Sequence, residues 1–254
     1  MAYTAVDDSE AHFQIKAYTG TGDDAESFTL DGETAMQPDL IWIKTRTESN
    51  QHFVRDAVRG DAWIETNRTV AESDGSAALS TTLDSDGFTV SGTSGMINKD
   101  TENFVAWCWK AGTAFSNDAS ATSVGTQDSE GDTSQTAGFS IVKRVGTGSA
   151  GASYAHNLGG KPDVILNKGL NTNEWYSYFQ VIGDGTHWMN IDDTTAATDD
   201  ANMWNDTAPT SAIFTVGNSG GSNGSGVTYI AYCWRSIQGF SKFGSYVGTG
   251  DDDG

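Results

Sequence analysis

Basic residues are scarce in this chain: 14 Lys+Arg stand against 34 Asp+Glu, giving a formal net charge of −20 at pH 7 and a pI of about 4.2. A surface of that sign repels phosphate backbones, which argues against nucleic acid as a partner. Proline numbers only 3 in 254 residues and cysteine only 2. Two cysteines cannot make a disulfide scaffold. Cys108 and Cys233 also stand at matching places in two similar strings, so each reads as a small apolar core residue and not as half of a bridge or metal pair. No run approaches the ~18 uninterrupted apolar residues of a membrane helix. Met1 to Asp8 has neither the basic start nor the apolar middle of a secretory signal, so no membrane partner is expected.

Sustained helical periodicity is missing too. In its place are 30 glycines and short apolar runs separated by Thr, Ser and Asp, the texture of an all-β chain with many turns. The acid is spread along the chain in pairs such as Asp7-Asp8, Asp23-Asp24, Asp192-Asp193 and Asp199-Asp200, and closes in Asp251-Asp252-Asp253. At molar salt the Debye length shrinks to about 3 Å and self-repulsion fades, so the composition points to a halophilic source, with an acidic marine or secreted protein as the alternative.

Tyr229-Ile230-Ala231-Tyr232-Cys233-Trp234-Arg235 nearly repeats Phe104-Val105-Ala106-Trp107-Cys108-Trp109-Lys110, and the flanking landmarks repeat in the same order. Phe13 to Thr19 before Gly20-Thr21-Gly22 matches Phe139 to Val145 before Gly146-Thr147-Gly148. Pro38-Asp39 ahead of an apolar run matches Pro162-Asp163, Trp63 matches Trp188, and Phe88 matches Phe214. The Pro-led runs are apolar at both parities and read as central, doubly covered strands. The organisation predicted is a polar lead over 1–12, a β-sandwich unit A over 13–110, and an exposed Ser/Thr/Gly/Asp-rich linker over 111–138. A second β-sandwich, unit B, follows over 139–235, and 236–254 opens a third repeat or supplies a swapped strand, with the strand at Phe240 to Val247. The fold class is all-β, with tandem jelly-roll-like sandwiches.

Several catalytic or binding patterns match by letter and fail on context. Gly217-Asn218-Ser219-Gly220-Gly221 resembles a nucleophile elbow, but the glycine-rich sequence after it reads as a loop where a helix is required. Gly146-Thr147-Gly148-Ser149-Ala150-Gly151 fits a dinucleotide fingerprint yet reads as a hairpin turn. His12, His52, His156 and His187 show no metal-ligand spacing. Calcium is the ion that so many Asp residues would suit, but Asp84-Ser85-Asp86-Gly87 lacks the closing Glu, and no cofactor is expected. Arg59-Gly60-Asp61 reads as a turn before Trp63, and sequons stand at Asn67, Asn205 and Asn223. Of the 8 tryptophans, most fall in duplicated strands and read as core. Trp175, beside Tyr176 and Tyr178, and Trp204 have no counterpart in unit A. Exposed aromatics among acids and amides grip sugar rings, so these four are the expected glycan contacts.

Taken together, Gln37-Pro38-Asp39-Leu40-Ile41-Trp42-Ile43-Lys44, Val58-Arg59-Gly60, Gly87-Phe88-Thr89-Val90, Val105 to Gly112 and Gly239 to Tyr246 resemble a family of repeated β-domains in virion proteins of tailed phages. The acidic balance would suit a virus of halophilic archaea. That resemblance implies a non-enzymatic protein on the virion surface, in a tail fibre, baseplate or capsid spike, contributing to host attachment. Its implied partners are further copies of itself, other virion proteins and a host-surface glycan or glycoprotein. The rivals are a purely architectural decoration protein and a glycan-degrading enzyme built on a carboxylate pair.

Overall fold

The structure, a computed structural model, describes residues 4–75, 79–171 and 174–250. The acidic end Asp251-Asp252-Asp253 and the first three residues of the lead lie outside the described residues.

The chain is all-β and sandwich-like. Unit A holds β1 (Phe13–Thr19), β2 (Ala25–Phe28), β3 (Leu40–Thr45), β4 (Phe53–Asp56), β5 (Trp63–Ile64), β6 (Ser80–Asp84), β7 (Gly87–Ser91) and β8 (Asn103–Trp109). β9 (Thr113–Asn117), the single helical turn α1 (Ala119–Thr122) and β10 (Ser129–Ser134) come next. Unit B then runs through β11 (Phe139–Val145), β12 (Ala152–Ala155), β13 (Val164–Gly169), β14 (Tyr178–Phe179), β15 (His187–Trp188), β16 (Thr198–Asp199), α2 (Ala201–Trp204), β17 (Ile213–Val216), α3 (Gly220–Asn223) and β18 (Thr228–Trp234). The main sheet of unit A is ordered β1-β8-β3-β4-β5 and that of unit B β14-β13-β18-β11-β10-β9. A smaller sheet, β2-β7-β6 or β12-β17, accompanies each, and β15 pairs with β16.

The repeat is visible residue by residue in the ladders. Trp109 lies between Phe13 and Leu40, while Trp234 lies between Phe139 and Val164. Each Cys-Trp strand is therefore a central strand flanked by the first strand and the Pro-Asp strand of its own unit. Period-two alternation then sorts the side chains. From β8, Phe104, Ala106 and Cys108 enter the core of unit A with Ile41, Ile43, Phe88 and Val90. From β18, Ala231 and Cys233 enter the core of unit B with Ile165, Tyr154 and Phe214. Both cysteines are free and fully buried, and burial pushes both thiols up to about 12.

The opposite faces of the two main sheets meet in a third core. Leu40, Val54 and Ile64 from unit A pack there with Ile141, Leu166, Ile230 and Tyr232 from unit B. All six residues of β13 are consequently buried, as its apolar run predicts. A buried ionic cluster crosses the same boundary. Arg59 donates through Nε to Asp56 at 2.6 Å and pairs with Glu72 at 2.9 Å, while the Tyr232 hydroxyl donates to the same Asp56 oxygen at 2.7 Å. Burial alone would lower the Arg59 pKa, yet the Asp56 carboxylate, with Tyr232 and Glu72, holds it above its ordinary value.

Two organisational expectations need correcting. Residues 113–117 and 129–134 are not linker but strands β9 and β10, which extend the unit B sheet beyond β11. Their polarity reflects a sheet margin that is partly wet. Gly131 is required there, since a Cβ would meet the Ile141 carbonyl oxygen at 1.8 Å. Phe240 to Val247, expected to be a strand, has no ladder. In units A and B the equivalent strand pairs with the Cys-Trp strand of its own unit, whereas among the described residues the pairing shown for the third copy is the isolated Ile237–Ser241 bridge. Tyr246 and Val247 are accordingly 94% and 91% exposed.

Candidate functional site: an aromatic cleft between the repeats

The duplicated register puts an aromatic pair at the same end of each main sheet: Phe13 beside Trp109, and Phe139 beside Trp234. The rings touch within each pair, with centroids 5.0 Å apart in the first and 5.1 Å in the second. Packing of the units brings the two pairs together, so that Trp109 meets Trp234 edge to face at 5.9 Å. Beside them opens a cleft of about 600 Å³, extended by Trp42, Phe179 and Ile191 and bordered by His12. Phe240, Ser241, Lys242 and Phe243 from the tail form one wall. Trp42, Trp109 and Trp234 are each half-buried, presenting part of a ring to the opening.

Polar groups hold this wall in place. The Trp42 indole N–H donates to His52 Nδ1 at 2.8 Å. That acceptor role requires an unprotonated nitrogen, and burial, reinforced by Lys44, lowers the His52 pKa. His12 is likewise lowered, chiefly by burial, against the raising effect of Asp8. The tail is anchored where Asp163 accepts from the Ser236 N–H and where the Phe243 N–H donates to the Ser236 hydroxyl at 3.2 Å. A second, polar depression of about 760 Å³ lies along β9 to β11. Its acids are engaged locally: Asp118 caps α1 and Glu130 pairs with Lys143.

The structure reverses the expected division of the tryptophans. Trp175, Tyr178 and Trp204 are 0%, 0% and 1% exposed, so the exposure that a glycan contact requires is missing at all three. Trp175 plugs the boundary between the units: its indole N–H donates to the Glu65 carbonyl at 2.8 Å and its ring stacks on Tyr232. This inter-unit position explains why unit A has no counterpart to it. Trp204 fills the unit B core against Tyr178 and Phe214. Tyr176 is half-buried edge-on to Trp188. Trp42, Trp109 and Trp234, read as core from the sequence, are the tryptophans that line the cleft.

The remaining motifs resolve into structure. Asn98 and Asn223, both 0% exposed, brace the two Gly-Thr-Gly turns identically. Each accepts from the Thr N–H through its side-chain oxygen and from the second Gly N–H through its carbonyl. The sequon at Asn223 is therefore buried, while Asn67 is exposed. Gly146-Thr147-Gly148 carries the chain from β11 to β12 in a different sheet and so closes no hairpin. After Ser219 a helical turn forms where a loop was expected, and the Ser219 hydroxyl caps it by accepting from the Gly221 N–H. Arg59 of the Arg-Gly-Asp tripeptide has a side chain only 1% exposed. Asp84 and Asp86 sit at the β6–β7 turn, accepting from the Thr89 hydroxyl and the Met36 N–H. His156 is buried, donating toward the Thr210 carbonyl and accepting from the Leu158 N–H, and burial pushes its imidazole down to about 4. Among the described residues no group of three or more His, Cys, Asp or Glu is placed to hold a metal ion.

A family model described as a domain of unknown function, DUF7483, matches residues 8–254. No curated protein and no solved structure matches the chain.

Proposed function

The chain belongs to this family of unknown function, and on its repeated motifs and its aromatic cleft we propose that it is a non-enzymatic structural protein on the exterior of a tailed virus, contributing to attachment at the host surface. The aromatic cleft carries this reading. Half-buried Trp42, Trp109 and Trp234 offer flat apolar faces for the underside of a sugar ring, while His12, Ser241 and Lys242 stand at the border to take hydroxyls. The site lies where two repeat units and the tail converge, so its walls belong to a packed scaffold and cost little to order. The repeated motifs and the acidic surface support a particle exposed to high salt.

The test is titration of purified protein with host-surface polysaccharide fragments, followed by tryptophan fluorescence. Binding should perturb the emission, and Phe243→Ala with Lys242→Ala, both on the tail wall, should weaken it about tenfold, the loss of roughly 1.4 kcal/mol. Release of reducing ends during incubation would overturn the non-enzymatic reading, and an unperturbed titration would overturn attachment through this cleft.

A further inference from the structure

Strand β1 and its repeat equivalent β11 have the same sequence role and the same ladder to the Cys-Trp strand, yet very different surroundings. β11 is interior: β10 pairs along its outer edge, and unit A covers the face that carries Ile141, which is 0% exposed. β1 is the margin of its sheet, with β8 on one side and no strand among the described residues on the other. Ile15, the equivalent of Ile141, is 50% exposed.

The backbone of β1 is open in the same sense. The Lys110 N–H donates to the His12 carbonyl and the Gly20 N–H to the Glu102 carbonyl, which fixes the even-numbered residues of β1 as the ones bonded to β8. Ile15, Ala17 and Thr19 therefore turn their N–H and C=O groups outward. Beside them on the same face, Val105 and Trp107 of β8 are half-buried, whereas their equivalents Ile230 and Tyr232 are covered by unit A. A seven-residue edge strand with outward backbone groups beside exposed Ile15 is a template for strand addition.

We infer that the outer edge of β1, with the face formed by Ile15, Val105 and Trp107, is the docking surface for a second copy of this chain. The occupant follows from the internal repeat. Among the described residues, the equivalent edge and face are covered by this chain's own strands and its own repeat unit. Each copy also carries a further first-strand sequence, Phe240 to Val247, that pairs in no ladder. The contact between units A and B is offset: Trp109 meets its equivalent Trp234, yet unit B is covered at Ile141, Ile230 and Tyr232 where unit A is open at Ile15, Val105 and Trp107. A second copy at β1 continues that pattern between molecules. The inference rests on the duplication and is independent of what the aromatic cleft binds.

Sedimentation velocity of the full chain over a concentration series in molar NaCl, where repulsion between copies of net charge −20 is screened, is the test. The wild type should form a reversible oligomer. Ala17→Pro removes an outward N–H without touching the β8 ladder, and Ile15→Lys places a charge on the face; each should weaken association about tenfold or more while far-UV circular dichroism stays unchanged. Ile15→Lys also reduces the net negative charge, so a loss of association cannot come from added repulsion. Val181→Lys, at another exposed apolar position, should behave as wild type. Hydrogen exchange at the Ile15, Ala17 and Thr19 amides should slow as concentration rises. A monomer at every concentration, association undiminished in both β1 variants, or exchange at these amides independent of concentration would each overturn the inference.

Discussion

Replacing Asp56 by Ala should be among the most damaging single substitutions in the protein. Asp56 is 0% exposed and accepts from the Arg59 N–H at 2.9 Å, Arg59 Nε at 2.6 Å and the Tyr232 hydroxyl at 2.7 Å. Its loss leaves a guanidinium that is 1% exposed with Glu72 as its remaining carboxylate partner, 2.9 Å away. Breaking a buried pair of this kind costs about 3–5 kcal/mol, a large part of the roughly 5–15 kcal/mol that holds a domain folded. Tyr232→Phe removes a donor to the carboxylate and an acceptor of Arg59 Nη2 at 3.2 Å, and should cost about 1.5–3 kcal/mol. Because Tyr232 belongs to unit B and Asp56 to unit A, the cycle of single and double variants measures coupling between the units, and it should exceed about 1 kcal/mol. The assay is equilibrium urea unfolding at constant salt, read by tryptophan fluorescence and circular dichroism. The reasoning fails if Asp56→Ala costs less than about 1 kcal/mol, or if the two single effects simply add. Replacing Asp56 and Arg59 together by apolar residues of similar volume should recover much of the loss, since the pair's own desolvation cost then vanishes.

Both cysteines should resist thiol reagents in the native protein and react only after unfolding, because neither is exposed and burial raises both thiols to about 12. Asn223→Ala should destabilise by about 3 kcal/mol or more, as it strips partners from the Thr147 N–H and the Ser149 and Gly217 carbonyls within a buried turn; Asn98→Ala should do the same to the matching turn of unit A. His156, held neutral by burial with its pKa down at about 4, contributes stability that is complete above its unfolded pKa near 6.5 and lost as pH falls from there toward 4, because only the unfolded chain then takes up the proton. The full difference is about 3 kcal/mol, and His156→Gln should flatten that part of the stability profile.

Much of the architecture is legible in the sequence because strand side chains alternate with a fixed period and the duplication shows each pattern twice. Cys108 and Cys233 illustrate this: their parity within a seven-residue string is enough to point them inward. What alternation does not encode is which outer faces meet. Trp175 and Trp234 both present a ring to the boundary between units, but the Glu65 carbonyl seals the first while the second borders an opening, and that outcome depends on residues more than a hundred positions away. Strands β9 and β10 stayed hidden for the opposite reason. At a sheet margin, Ser129, Gly131 and Thr133 can be buried while Glu130 is solvated, so the segment carries none of the apolar contrast that marks a strand. Phe240 to Val247 carries a strand pattern yet lies in no ladder among the described residues, because a ladder needs a partner strand that the pattern alone does not supply.

The position of the protein in a particle tests the functional account most directly. The proposed role predicts that antibody raised against the folded chain, applied to intact virus particles from the source organism and imaged by electron microscopy, labels the outer surface at the tail, baseplate or capsid exterior. Purified particles that contain none of the protein, or that expose it only after disruption, would contradict the account.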